Sequence, residues 1–235
     1  MILRTLSLLL VLSPVAAALA ESGKPADPDP NRFAQEIKAF AEWDSKNAVP
    51  ANSVLFVGSS SIRMWRTHES FPALPVINRG FGGSQISDIL HFFDRVVRPY
   101  QAKVIVFYCG NNDIAGGKSA ERVRDDFRRF VTLVRGSQPT ARVVFLAINP
   151  SRSRWSFWSE VKKANGLIQE FCRSDPRLVF ADFTTLFLGD DGLPDSGLFV
   201  SDQLHLNAKG YAVWAKALVP VLEKVVASSG PAGDR

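Results

Sequence analysis

The nine residues Val54-Leu55-Phe56-Val57-Gly58-Ser59-Ser60-Ser61-Ile62 carry an unbroken apolar run straight into a turn of three hydroxyl side chains. A short continuous apolar run closed by Gly is the pattern of a strand buried on both faces, as a helix-covered parallel sheet requires. Four more runs of this kind follow: Val76 to Asn78, Val104 to Tyr108, Val143 to Ile148 and Leu178 to Ala181. Between and around them lie amphipathic stretches long enough for helices: Phe33 to Lys46, Ile86 to Val97, Ala120 to Ser137, Trp158 to Ser174 and Ala208 to Ala227. The alternation predicts an α/β fold with one five-stranded parallel sheet, right-handed crossovers, helices on both faces, and ligands at the carboxyl ends of the strands.

Composition agrees with a single packed domain. The chain has 235 residues, 46% hydrophobic and 22% charged, with 16 Gly and 14 Pro spread along it. That excludes wholesale disorder, collagen and coiled coil. Met1 to Ala20 places one Arg before an apolar stretch from Leu6 to Val15 and ends on Ala18-x-Ala20, the pattern of a cleavable secretory signal (1–20), so export is expected. The apolar part is shorter than the about 20 residues a membrane span needs, so no stable anchor is expected after cleavage. Glu21 to Asn31, polar with three prolines, reads as a flexible leader (21–31), residues 32–227 as the domain, and 228–235 as a flexible tail. The formal charge of +5 loses only Arg4 with the signal, which leaves a weak, dispersed basic balance and no argument for a nucleic-acid partner. Cys109 and Cys172 are expected as two separate buried thiols, and with neither Cys-x-x-Cys nor His-x-x-x-His spacing present, no metal site is expected.

Four segments carry candidate chemistry, three of them at the end of a strand and one just before the last helix. Gly58-Ser59-Ser60-Ser61 sits between a strand and an apparent helix start, where a hydroxyl nucleophile would be exposed, although Ser is equally suited to a plain helix cap there. Gly-x-Ser-x-Gly would need Gly at position 62, where Ile62 stands, so an α/β-hydrolase elbow is disfavoured. Asp202-Gln203-Leu204-His205 precedes the last helix, and its spacing lets Asp202 accept from Nδ1 of His205 while Nε2 takes a proton. His68 and His91 are the competing bases. Arg79-Gly80-Phe81-Gly82-Gly83-Ser84 and Cys109-Gly110-Asn111-Asn112-Asp113 are either tight turns and a capped loop or a source of donors. In the second case the Gly83 N–H and the Asn112 amide, beside the Ser60 N–H, would form an oxyanion hole.

Taken in order, Ser60, Gly83, Asn112 and His205 resemble the signature of the SGNH hydrolases, the GDSL-like esterase and lipase family. The similarity runs from Val54 to Tyr211: Gly58-Ser59-Ser60 stands for Gly-Asp-Ser, Asn78, Gly80 and Gly83 for Asn-x-Gly-x-x-Gly, Gly110, Asn112 and Asp113 for Gly-x-Asn-Asp, and Asp202 and His205 for Asp-x-x-His. Ser59 departs from the family's usual Asp, which bears on local support of the turn. The resemblance implies a flavodoxin-like three-layer α/β/α sandwich and a catalytic Ser60, Asp202 and His205. It also implies an oxyanion hole of Ser60, Gly83 and Asn112, and ester hydrolysis through an acyl-enzyme with no metal or organic cofactor.

The expected substrate is a small ester, an acylated sugar or a lipid-derived ester, with short or acetyl chains preferred. An acyltransferase using the same acyl-enzyme, and a binding module that kept the fold, are the alternatives. The segment from Ser151 to Trp158 follows the fourth strand on the expected ligand edge. Its Trp155 and Trp158, with two arginines, either wall a substrate site or anchor the next helix. The Arg122 to Arg129 stretch, interleaved with Asp125 and Asp126, reads as a solvated helix face.

Overall fold

The computed structural model describes residues 26–228. The expected signal peptide, the first part of the leader and nearly all of the tail lie outside the described residues. The rest of the expected leader is fastened to the domain. Asp27 is ion-paired with Lys118 at 2.7 Å and with Arg122 at 2.8 Å, and the Asp29 side chain caps a 3₁₀ turn over Pro30–Phe33.

The elements follow the expected alternation: α1 (Ala34–Asp44), β1 (Val54–Gly58), α2 (Ser60–Arg63), α3 (Thr67–Ser70), β2 (Val76–Gly80), α4 (Ile86–His91), α5 (Phe93–Val96), β3 (Val104–Tyr108), α6 (Asn111–Ala115), α7 (Ala120–Ser137), β4 (Arg142–Leu146), α8 (Trp158–Cys172), β5 (Leu178–Ala181) and α9 (Ala208–Ala227). The helix expected over Ile86 to Val97 is two pieces, because Phe92 leaves helical geometry at φ −95° and ψ 13° between α4 and α5. β4 ends at Leu146 rather than Ile148. α7 keeps its register through the Ser119 cap, which accepts from Arg122 N–H, and buries Val123, Phe127, Phe130 and Val134 along one stripe.

All strand pairs are parallel, in the order β2-β1-β3-β4-β5. Alternation along the strands divides the core. Leu55, Val57, Ile105, Phe107, Val143 and Phe145 face the layer built from α1, α4, α5, α7 and α8. Val54, Phe56, Val104, Val106, Val144 and Leu146 face α9 and the α2–α3 turn. The result is the three-layer α/β/α sandwich. Burying one Phe such as Phe127 in such a layer is worth about 3–5 kcal/mol against truncation to Ala. The strand order reverses direction between β1 and β3, and in open parallel sheets that switch point is where a crevice opens at the carboxyl ends. The loops after β1 and β3 are those that begin with Ser59 and Cys109. Both cysteines are buried and unpaired with each other, and burial pushes each thiol pKa up, Cys172 to about 12.

Candidate active site

At the switch point β1 runs so close to β3 that a Cβ on Gly58 would fall 2.0 Å from the Tyr108 carbonyl oxygen, so only Gly fits. Ser59 N–H donates to that same oxygen at 3.2 Å, and the chain turns at once into α2, with Ser60 its first residue. Ser59 occupies the cap position but makes no side-chain cap bond, so the plain-cap reading of the serines does not describe this turn. The Ser60 N–H lies in the first helical turn, where amides have no intrahelical acceptor. Asn78 holds α2 from below: its amide nitrogen donates to the Ile62 carbonyl at 2.7 Å and the Trp65 carbonyl at 3.0 Å. Tyr211 on α9 donates its hydroxyl to the Ser61 carbonyl at 2.9 Å.

The second half of the site comes from the loop before α9. Asn207 caps α9 by accepting from the N–H groups of Lys209 and Gly210, and its amide nitrogen donates to the Gly197 and Phe199 carbonyls. Phe199 and Leu206 form an isolated antiparallel bridge, which closes the segment carrying Asp202 and His205 into a tight loop with Gln203 at φ 55°. Asp202 Oδ1 accepts from the Leu204 and His205 N–H groups at 2.8 and 2.9 Å, and Oδ2 accepts from His205 Nδ1 at 2.6 Å. Ser60 Oγ stands 2.8 Å from His205 Nε2. The three side chains thus form one unbroken relay, in the sense Ser60 O–H to His205 Nε2 and Nδ1–H to Asp202. Burial alone would raise the Asp202 carboxyl. The ring hydrogen bond and the two backbone N–H groups outweigh it and hold the group at about 2, ionised wherever His205 works as a base.

Asn112 lies on α6, in the same cleft as Ser60 and His205. Its amide nitrogen donates to the Ser84 carbonyl at 3.0 Å, leaving the second amide hydrogen for another acceptor. That bond and a 3.3 Å contact from Cys109 Sγ to the same carbonyl tie the loop holding Gly83 to α6 and to the residue that follows β3. Gly83 itself is exposed at φ +73°, one residue from Ser84, and is not among the residues that line the cleft.

Trp155 and Trp158 are not brought to the cleft. They stack on each other at 5.9 Å between ring centroids, and Trp158 packs against the core, as an anchor for α8 does. Arg154, from the same stretch, is the residue that faces Ser60's cleft, together with Asn111, Asn149 and Ser151. Ser153 donates from both its N–H and its hydroxyl to the Gln203 carbonyl, which fastens this segment to the His205 loop. Asn149 and Ser151 were not singled out individually from the sequence. Their one signal was position, just past the end of a strand, where the sheet presents its ligands. His68 and His91 do not line the cleft.

Comparison with known proteins fits this geometry. The family model described as the GDSL-like Lipase/Acylhydrolase family matches residues 61–213. The platelet-activating factor acetylhydrolase IB subunit alpha1 of Homo sapiens is 29% identical over 210 residues, covering 82% of this chain and 88% of that protein. Among solved structures, a GDSL-like lipase from Bacteroides thetaiotaomicron superposes with a TM-score of 0.67 at 20% identity, over 80% of this chain and 97% of the other. A carbohydrate esterase family 3 protein from Talaromyces cellulolyticus gives 0.57 at 19% identity, over 76% and 99%.

Proposed function

We propose, from the premise that this chain belongs to the GDSL-like lipase/acylhydrolase family and is an ester hydrolase of the SGNH type, that Ser60 is the nucleophile of an exported esterase acting on short-chain, preferably acetyl, esters. The observation that carries this reading is the relay from Ser60 through His205 to Asp202. Ser60 Oγ attacks the ester carbonyl carbon as its proton passes to His205 Nε2, and the carbonyl oxygen becomes an oxyanion. The Ser60 N–H and the Asn112 amide, both in the cleft, are assigned to that oxyanion, and the Gly83 N–H, outside the cleft lining, is the third donor that the resemblance implies. Collapse expels the alcohol, which takes the proton from His205. Water then attacks the acyl-Ser60 ester, giving its proton to His205, and the acid leaves with Ser60 restored. Asp202 holds the ring in the tautomer that presents a bare Nε2 and stabilises the imidazolium that forms.

The preference for a short acyl group rests on space. The recess beside Ser60 is walled by the bulky side chains of Tyr108, Phe199, Leu206 and Trp214, which leaves little room for a long acyl chain. The curated relatives are named acetylhydrolases, which agrees in acyl size. With p-nitrophenyl esters of rising chain length, kcat/KM should be highest for acetate and fall steeply by octanoate. A maximum at octanoate would refute the preference and leave the hydrolase standing. Export is proposed from residues 1–20, and N-terminal sequencing of the protein from its host's culture should begin at Glu21. A mature protein that starts at Met1 would refute it.

A further inference from the structure

Ester hydrolysis leaves one wall of the cleft unexplained. Asn149 is only 6% exposed, yet neither its Oδ1 nor its Nδ2 has a hydrogen-bond partner. Ser151 is 3% exposed with its Oγ unpartnered, and Trp214 is 1% exposed with its Nε1 unpartnered. All three residues line the cleft that holds Ser60. Buried polar atoms without partners are rare because each has lost its water for nothing in return, so several in one recess mark a place for a ligand.

Arg154 completes the wall. Its guanidinium donates to Asn111 Oδ1 at 2.8 Å and meets no carboxylate among the described residues. Partial burial pushes its pKa down, against a smaller opposing pull from Tyr108 in the same cleft. Other fully or partly buried cations differ: Arg79 is paired with Asp44, Arg135 with Asp175, and Lys118 with three aspartates. The groups that Arg154, Asn149, Ser151 and Trp214 present are mostly donors, and a half-buried cation beside them calls for an acceptor that carries negative charge. A guanidinium fork matches a carboxylate in shape as well as charge.

We propose that Arg154, with Asn149 and Ser151, forms a subsite for a carboxylate carried by the substrate, so that the enzyme selects anionic esters over neutral esters of the same shape. The inference rests on the reading of Ser60 as the esterase nucleophile, since it is the shared cleft that places carboxylate and ester on one small molecule. The carboxylate belongs either to the alcohol half or to the acyl half of the ester, and two matched pairs separate these sources. 3-Acetoxybenzoate against 3-acetoxybenzamide varies the charge on the alcohol half. Monoethyl malonate against ethyl malonamate varies it on the acyl half.

In one of the two pairs the acid should exceed the amide in kcat/KM by about tenfold or more, the scale of a charge-assisted bond. Arg154→Leu should collapse that ratio to near one. Arg154→Lys, which keeps the charge without the fork, should fall between. A ratio near one in both pairs for the wild-type protein, or a ratio that survives in Arg154→Leu, overturns the proposal. Covalent labelling of Ser60 by a fluorophosphonate reads the underlying reaction separately. Labelling and turnover with a flat ratio refute the subsite alone, whereas no labelling refutes the hydrolase reading. Binding to Ser60→Ala, measured by calorimetry, needs no turnover. Tighter binding of 3-hydroxybenzoate than 3-hydroxybenzamide, or of monoethyl malonate than ethyl malonamate, supports the subsite, and equal binding in both pairs overturns it.

Discussion

Two polar clusters adjoin the short helix α6, and they are built on opposite terms. On one side Lys118, with its side chain 1% exposed, reaches Asp27 at 2.7 Å, Ser87 at 3.1 Å, Asp113 at 3.2 Å and Asp126 at 3.5 Å, while Arg122 closes the ring by pairing with both Asp126 and Asp27. Asp113 also accepts from the Ile86 N–H at 3.1 Å, which pins the start of α4 to α6. On the other side Arg154, Asn149 and Ser151 face the cleft with one bond to Asn111 and three unpartnered side-chain atoms on the two smaller residues. The same five-residue helix supplies Asp113 to the first cluster and Asn111 and Asn112 to the second. Compensation marks the first as architecture that fixes the helix. Its absence marks the second as a surface kept for a ligand. Buried polar residues alone would not distinguish the two, but their partners do.

The comparison is broken most severely by emptying the compensated cluster. Asp113→Ala leaves Lys118 short of a counter-charge and the Ile86 N–H without its acceptor, so unfolding free energy should fall by about 3–5 kcal/mol in urea titration. A loss under about 1 kcal/mol would show the cluster to be incidental. Next in size is Asn112→Ala, on the adjacent position of the same helix, which should lower kcat by about 10² to 10³ while the urea midpoint hardly moves. The reverse pattern, normal kcat with lost stability, would return Asn112 to a structural role.

Acidity sharpens the contrast further, because the two aspartates are displaced in opposite directions. Burial raises the Asp113 carboxyl to about 6 despite the opposing pull of Lys118 and the Ile86 N–H, whereas Asp202 is held at about 2. A folded carboxyl raised above its unfolded value binds protons that the unfolded chain has released. Asp113 therefore contributes a stability that is full below about pH 4 and declines as pH rises to about 6, on the order of 3 kcal/mol. Asp202 works the other way, with its contribution present above about pH 4 and lost as pH falls toward 2. In urea titrations across pH, Asp113→Asn should remove the decline between about pH 4 and 6 and leave the acid limb. An unchanged decline would assign it elsewhere. The smallest effect is expected for Asn149→Leu, which replaces an unsatisfied amide by an apolar side chain of similar volume and should shift stability by no more than about 1 kcal/mol in either direction. A loss as large as that of Asp113→Ala would erase the distinction between the clusters.

How much of this was legible in the sequence follows from the range of each interaction. The strands were readable because a buried parallel strand is a local pattern, and the five runs match β1 to β5 to within two residues at their ends. The relay was readable because Asp202 and His205 share one turn and Ser60 sits at a strand end, so motif spacing and sheet topology together place them. The clusters were not. Asp27 and Lys118 are 91 positions apart, and no periodicity announces such a pair. Arg122, read as part of a solvated face, instead closes a ring around Asp126. The stretch Ser151 to Trp158 shows the same limit at short range. A kinked 3₁₀ segment, with Arg154 at φ −123° and ψ 22°, accompanies the outcome in which Arg154 and not Trp155 or Trp158 faces the cleft, and composition does not determine which side chain turns that way.

The most direct measurement is the site of covalent capture. Wild-type protein treated with a fluorophosphonate, digested and sequenced by mass spectrometry should carry the adduct on Ser60, with His205→Ala labelled far more slowly and Ser60→Ala not labelled. An adduct on Ser59 or Ser61, or unchanged labelling of Ser60→Ala, would contradict the assignment of Ser60 as the nucleophile that His205 and Asp202 serve.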